Sequence, residues 1–191
     1  MKRAASTLVL VAAGLGFDGC VSISESPSRA NVQGPLPQGI RVVVVQAVPL
    51  KPGVVKNADE LRGASELFAG YVRDALAKRR PDWQVKLVDE PQRDMTIATE
   101  LLEVDGGSAG LRFWIGFGAG AIRSAAKVSL QDRAGGSLAA AEISQATACP
   151  VGLCTDSNEA MVLRNLQALA EEAVEFITDP AGYAKKEAAR S

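Results

Sequence analysis

The run Ile40-Arg-Val-Val-Val-Val-Gln-Ala-Val48 places a strand near the start of any fold that this chain can adopt. It is rich in β-branched side chains, which favour extended backbone, and it lacks the polar alternation of a strand with one wet face. We therefore expect a central strand that is covered on both faces. Apolar residues at helical spacing from Leu61 to Leu76 then predict a helix, for which Asn57 and Glu60 are a candidate capping box.

The rest of the chain continues with strands and one more helix. Strands are predicted at 84–88 and 95–104, and a hairpin at 122–132 and 137–146. A second helix is predicted from a cap at Asp156 and Glu159 to Asp179-Pro180. The expected fold is α+β: a single mixed β-sheet with two amphipathic helices packed on one face, in the order β-α-β-β-β-β-α.

The first nineteen residues have the layout of a bacterial lipoprotein signal. A basic start at Lys2 and Arg3 precedes an apolar stretch over 7–17, and Gly19 stands directly before Cys20. As a helix the apolar stretch would be about 16 Å long, half of the ~30 Å hydrocarbon core, and so too short to span a membrane. We expect Cys20 to become the first mature residue and to carry lipid, including a palmitate-type acyl chain.

Other interpretations of this region stay open, because Asp18 lies where lipoprotein signals usually have small or apolar residues. They are secretion with Cys20 left as a free thiol, after cleavage near 12–14 or after Gly19, and an uncleaved anchor. The composition of residues 20–39, rich in Ser, Pro and Gly, predicts a flexible tether and favours the lipid. Val21, rather than Asp, after the cysteine resembles lipoproteins that are sorted to the outer membrane, on its periplasmic side.

The two remaining cysteines, Cys149 and Cys154, are expected to form a disulfide that closes a small loop in an oxidising periplasm. By the chain-entropy model such a short ring contributes about 2 kcal/mol. Structural zinc would need four Cys or His ligands, and the chain has no histidine. A thioredoxin-like motif has two residues between its cysteines, whereas this chain has four.

The absence of histidine also excludes Ser-His-Asp and Cys-His nucleophile pairs within the chain. Carboxylate chemistry is the remaining alternative, because Glu100, Glu103 and Asp105 lie close together at the end of a predicted strand. With regular alternation, Glu100 and Glu103 point to opposite faces, and Glu103 and Asp105 share one. Glu103 and Asp105 are therefore the candidate pair for cleaving glycan, and the plainer interpretation is solvated charge.

The segment 106–121 alternates glycine with aromatic and small residues. It lacks the Gly-Lys-Ser/Thr ending of a P-loop and the spacing of a dinucleotide-binding loop, so nucleotide binding is not expected. Its aromatic residues Phe113, Trp114 and Phe117 are either core residues under a loop or an exposed patch for a partner or a membrane surface.

The motif Phe113-Trp-Ile-Gly-Phe-Gly-Ala-Gly-Ala121, followed by a strand, Leu130-Gln-Asp132 and a glycine turn, resembles bacterial lipoproteins of domain of unknown function family 4410. In element order the resemblance spans about 40–178, and Ala134-Gly135 stands where the family tends to have Thr-Gly. It implies a small envelope domain behind a lipid anchor, with no catalytic residues to transfer. The element order is also similar, at fold level alone, to lipoproteins that activate cell-wall synthases or assemble secretion pores.

The sequence thus predicts four parts: a signal peptide at 1–19, a lipidated cysteine and tether at 20–39, a periplasmic domain at 40–178 and a polar tail at 179–191. Because 21 Lys and Arg face 22 Asp and Glu and only 5% of residues are aromatic, no nucleic-acid partner is expected. We expect no cofactor and no enzyme activity. The predicted function is a lipid-anchored interaction or scaffold module with a periplasmic protein partner, and the alternative is a glycan-acting envelope enzyme.

Overall fold

The computed structural model of the protein describes residues 21–23, 29–58, 61, 63–108, 120–148 and 157–190. Within them, eight strands form one sheet and are accompanied by three helices. The strands are β1 (Val21–Ile23), β2 (Arg29–Val32), β3 (Val42–Ala47), β4 (Val55–Lys56), β5 (Gln84–Lys86), β6 (Met95–Asp105), β7 (Ile122–Asp132) and β8 (Ser137–Ala148). The helices are α1 (Ala64–Arg79), α2 (Asn158–Thr178) and α3 (Pro180–Ala188).

The sheet is mixed, as expected. Its order is β1-β8-β7-β6-β3-β5, with β2 also paired to β8 and β4 also paired to β6. β6, β7 and β8 form an antiparallel meander, whereas β3 runs parallel to both β5 and β6. The predicted order β-α-β-β-β-β-α is present as β3-α1-β5-β6-β7-β8-α2, which confirms the α+β class.

The core lies between one face of the sheet and the helices. α1 packs on β3 and α2 packs on β7 and β8, and the two helices also pack against each other. Alternate residues of the meander, such as Ile97, Val128 and Ile143, are buried on this side. Each large apolar side chain buried in this way stabilises the fold by about 1.5–3 kcal/mol relative to its exposed state. The opposite side, which we call the open face, carries no helix among the described residues.

Both predicted helix caps need correction. α1 begins at Ala64 after Gly63, and Asn57 adopts a positive φ of 52° with its amide donating to Asp105, so Asn57 does not cap the helix. At α2 the capping oxygen belongs to Ser157, which accepts from the backbone N–H of Ala160 at 3.2 Å. Asp156 lies outside the described residues.

The predicted flexible tether also needs correction, because parts of it are strands. β1 and β2 both pair antiparallel with β8, with Val21 opposite Ala148 and Val32 opposite Ala139. The physical reason is that β8 would otherwise be an edge strand with unpaired backbone groups, which an added strand satisfies. This pairing uses backbone groups, so a composition rich in Ser and Pro does not reveal it.

The predicted polar tail contains α3. Pro180 ends α2 but begins α3, where its missing N–H is not needed, and Asp179 accepts from the N–H of Gly182 at 2.9 Å. Tyr183 is only 2% exposed, and its ring packs edge-on against Phe176 with centroids 5.6 Å apart. The folded domain therefore continues past residue 178. No helix in the described part of the chain is long and apolar enough to cross a membrane.

Candidate functional site

Most side chains that the sequence singled out lie outside the described residues: Cys20, Phe113, Trp114, Phe117, Cys149 and Cys154. Their lipid, docking and disulfide roles stay predictions. The residues that flank them are described, however. The N–H of Ser108 donates to the carbonyl of Gly120 at 3.3 Å, so the two ends of the glycine-rich segment are held together between β6 and β7.

The three neighbouring carboxylates of β6 all lie on the open face. Glu100 is opposite Lys127 of β7 and Glu103 is opposite Ala125, so one residue, Leu102, is extra in β6. This β-bulge shifts the alternation by one residue. The expectation that Glu100 and Glu103 point to opposite faces was therefore wrong, whereas Glu103 and Asp105 do share a face.

Each of these carboxylates has polar partners from segments earlier in the chain. Glu100 binds Lys51 at 2.6 Å, and Glu103 lies 3.9 Å from the ammonium of Lys56. Asp105 accepts from the side-chain amide of Asn57 at 2.9 Å. The parallel pairing of β4 with β6 brings Lys56 beside Asp105 in the sheet. These three carboxylates therefore belong to a network of surface charges.

Asp105 is held in its ionised form. The hydrogen bond from Asn57 lowers the pKa of its carboxyl, and the backbone N–H of Gly107, at 2.8 Å, lowers it further. Lys56 and Arg123 add attraction for the negative charge. A glycosidase general acid needs a raised pKa, so the geometry at Asp105 is the opposite of what that role requires.

A ladder of alternating charges crosses the open face from strand to strand. Glu100 on β6 is opposite Lys127 on β7, which is opposite Glu142 on β8, and Glu142 is opposite Arg29 on β2. Lys51 extends the row beyond Glu100. We call these five residues the charge ladder. Opposite charges facing each other across strands stabilise a sheet by about 0.2–1 kcal/mol per pair, and the backbone register fixes their spacing.

The row beside the charge ladder is uncharged and mostly small. Ala98, Ser129 and Ala140 are cross-strand neighbours, with Gln46 and Asn31 at the two ends. Short side chains allow another molecule to approach the strands closely, while the charge ladder borders this strip on one side. The open face thus carries a strip of small residues next to alternating charges, which the sequence could not reveal because separate segments of the chain contribute to it.

The helical side has a groove of its own, with a volume of about 640 Å³, between α1 and α2. Its lining is mixed in charge and consists of Tyr71, Asp74, Ala75, Lys78, Arg79, Gln167, Glu171 and Val174. One of its carboxylates, Asp74, already binds Arg73 at 2.7 Å. In the part of the chain that the structure describes, no group of three His, Cys, Asp or Glu side chains could hold a metal ion.

A partly buried carboxylate, Glu172, joins α2 to β8 and α3. It accepts hydrogen bonds from Gln145 and from the hydroxyl of Tyr183, the latter at 2.8 Å. Burial is the main reason that the pKa of Glu172 is raised, and the nearby carboxylate of Glu187 raises it as well. Those two hydrogen bonds and the positive charge of Arg190 act in the opposite direction.

This environment predicts how stability depends on pH. Above about pH 4.5, the ordinary pKa of glutamate, the native state holds the Glu172 proton more tightly than the unfolded state does, so this group makes the fold less stable as the pH rises. Replacing Glu172 with glutamine removes that contribution. Urea unfolding at a series of pH values should therefore show that E172Q gains stability relative to the wild type between acidic and neutral pH.

The matched control is Glu171→Gln, which removes an exposed carboxylate one residue earlier on α2. It should leave the pH dependence of unfolding nearly unchanged. If E172Q and E171Q have the same pH profile as the wild type, Glu172 is not the group that carries this pH dependence.

Comparison with solved structures finds proteins with a similar fold. PelC from Paraburkholderia phytofirmans, a dodecamer, is similar over 75% of this chain and 96% of its own, with 11% identity and a TM-score of 0.51. A DUF330 protein from Xanthomonas campestris is similar over 84% of this chain and 97% of its own, with 12% identity and a TM-score of 0.50. At these identities the likeness shows the fold alone. No curated protein matches the sequence.

The family model of the domain of unknown function DUF4410 matches residues 43–149. The match begins in β3, includes α1 and the whole meander, and ends just after β8. It covers more than half of the chain and contains the glycine-rich motif that carried the resemblance. The chain therefore belongs to the DUF4410 family.

Proposed function

We propose that this protein is a lipid-anchored module of the bacterial envelope that binds a periplasmic protein partner through the open face of its sheet. The observation that supports the proposal is that the charge ladder lies next to a strip of small residues on the same face. The anchor is supported by the lipoprotein-like signal that ends at Cys20. The module has no catalytic role in this proposal.

The charge ladder supports binding to a protein because its signs alternate at fixed spacing. Charges of this kind add little to affinity in general, but they select a partner with the complementary order and set its register. The strip over Ala98, Ser129 and Ala140 allows the partner to pack closely on the strands. A surface whose charges all had the same sign would instead favour a polyanion or a polycation.

The alternative of a glycan-acting enzyme has less support. Its two candidate carboxylates, Glu103 and Asp105, share a face, but Asp105 is bound by Asn57 and its pKa is lowered. Lys56 lies next to Glu103 as well. These contacts are those of structural surface charges, so we propose the interaction module alone.

The test places a photoreactive amino acid at Ser129, in the centre of the open face, and at Gln167, on the helical side, in cells that make the full chain. We expect a specific cross-linked protein from position 129 and none from position 167. Lys127→Glu should lower the yield from position 129 by about tenfold, equivalent to about 1.4 kcal/mol of affinity, because it places a like charge between Glu100 and Glu142.

Lys78→Glu is the matched control, because it makes the same charge change on the helical side and should not alter the yield. Lys127→Gln, with circular dichroism of both Lys127 variants, separates lost binding from lost folding. A second copy of this chain is one identity that the cross-linked protein can have, as PelC forms a dodecamer. Equal yields from the wild type and a folded K127E would contradict docking on this face.

The same cells test the anchor. The wild-type protein should fractionate with membranes and give an acylated N-terminal peptide by mass spectrometry, and Cys20→Ala should lose both properties. An unmodified N-terminus in the wild type would contradict lipid anchoring, whatever the cross-linking shows.

A further inference from the structure

We infer that the domain contacts the membrane with one fixed end of its sheet, namely the end where β6 and β8 finish and where β1 and β7 begin. We call this the anchor end, and its described residues include Lys56, Asp105, Ile122 and Ala148. The inference rests on the proposed lipid at Cys20. The surface that the anchor end meets is the headgroup layer of a phospholipid membrane.

The absence of a free tether is the first argument. β1 begins at Val21, the residue next to Cys20, and Val21 is paired with Ala148 at the end of β8. Consecutive Cα atoms are 3.8 Å apart, so a lipid on Cys20 would enter the membrane within one residue of the sheet. A free chain of twenty residues would instead allow the domain to move about 25 Å from its anchor.

The second argument is that the N-terminal segment is attached to β8 at two places. β1 pairs with residues 146–148, and β2 pairs with residues 139–142, farther along the same strand. Chain that leaves the membrane therefore runs along the edge of the sheet toward its other end. Detaching this segment from β8 would break the backbone hydrogen bonds of both β1 and β2.

The consequence is that the two ends of the sheet lie at different heights above the membrane. The β7–β8 turn, over 133–136, lies at the far end of the sheet from Ile122. From Arg123, which is opposite Asp105, to Asp132 there are nine steps of β7, or about 30 Å at ~3.3 Å per residue. The strands then run away from the membrane, and the open face is on the side of the domain. A partner would reach it by moving along the membrane surface.

Charge does not by itself hold the anchor end to lipid. Among the described residues there, Lys56 and Arg123 are positive, whereas Glu103, Asp105 and Glu159 are negative. Attraction to anionic headgroups weakens with salt, whereas an acyl chain does not depend on it. The orientation should therefore persist at high ionic strength.

The experiment reconstitutes the native lipoprotein into phosphatidylethanolamine and phosphatidylglycerol vesicles that contain an acceptor dye on the headgroup. A fluorescent non-natural amino acid replaces either Lys56, at the anchor end, or Ala134, in the far turn. Energy transfer should be several-fold greater from position 56 than from position 134, with little change at high salt. A twenty-residue Gly-Ser insertion between Cys20 and Val21 should make the two values similar.

Equal energy transfer from both positions in acylated, vesicle-bound protein would overturn the fixed orientation and leave the anchor intact. Greater transfer from position 134 would also overturn it. A protein with unmodified Cys20 that does not bind vesicles would overturn the lipid anchor itself, and with it this inference. Mass spectrometry of the same sample separates these failures.

Discussion

Replacing Phe176 with alanine should lower the free energy of unfolding by about 3–5 kcal/mol, measured by urea denaturation at neutral pH. The Phe176 ring is fully buried on α2, and α3 begins only four residues later, at Pro180. Truncation removes the apolar contacts and leaves a cavity that the close-packed core fills only in part. It also removes the edge-on contact with Tyr183, which is one of the contacts that hold α3 to α2.

Val88→Ala provides the matched control, because Val88 is 77% exposed and its truncation should change stability by no more than about 0.5 kcal/mol. The pair also tests whether α3 belongs to the cooperative fold. If F176A is no more destabilising than V88A, then the α2–α3 junction is not packed as the structure shows.

The central part of the fold was predictable because its signal is the period of buried side chains. β3 is a β-branched run, the meander strands alternate, and α1 and α2 have apolar stripes, so each element indicated its own covered face. β1, β2 and β4 have no such period, because they are short and join the sheet through backbone hydrogen bonds. The second role of Pro180, as the first residue of α3, also depends on packing that a sequence does not show.

The site was less predictable than the fold. One apolar doublet, Leu101-Leu102, breaks the alternation of β6 and was the available sign of the bulge that brings Glu100 and Glu103 to one face. The sequence contained no sign of the lysine partners of these acids. Lys51 and Lys56 are about fifty residues away in sequence; Lys56 reaches β6 through the parallel pairing of β4, and Lys51 lies in the segment between β3 and β4. Likewise, the largest cause of the lowered pKa of Asp105 is the hydrogen bond from Asn57, which the sequence had suggested as a helix cap.

A second large loss of stability is expected from Gly106→Ala. Gly106 is buried at the end of β6, and its N–H donates to the carbonyl of Lys56 at 2.9 Å. A Cβ at this position would overlap the backbone carbonyl oxygen of Asn57 and lie 2.8 Å from the side-chain amide of Asn158. Because Asn57 meets it with backbone rather than with a flexible side chain, we expect a loss of about 2–3 kcal/mol.

The informative control is Gly70→Ala, which makes the same chemical change but is expected to raise the stability rather than lower it. Gly70 lies inside α1, and apart from its chain neighbours and the backbone of its own helix no atom is within 4 Å of where its Cβ would be. Alanine there should stabilise the protein by about 0.5–1 kcal/mol, because glycine is the poorer helix former. Equal effects of G106A and G70A would show that β6, β4 and the start of α2 do not meet closely at Gly106. Opposite signs would support that junction, which lies at the anchor end, where Asn158 also donates to the carbonyl of Asn57.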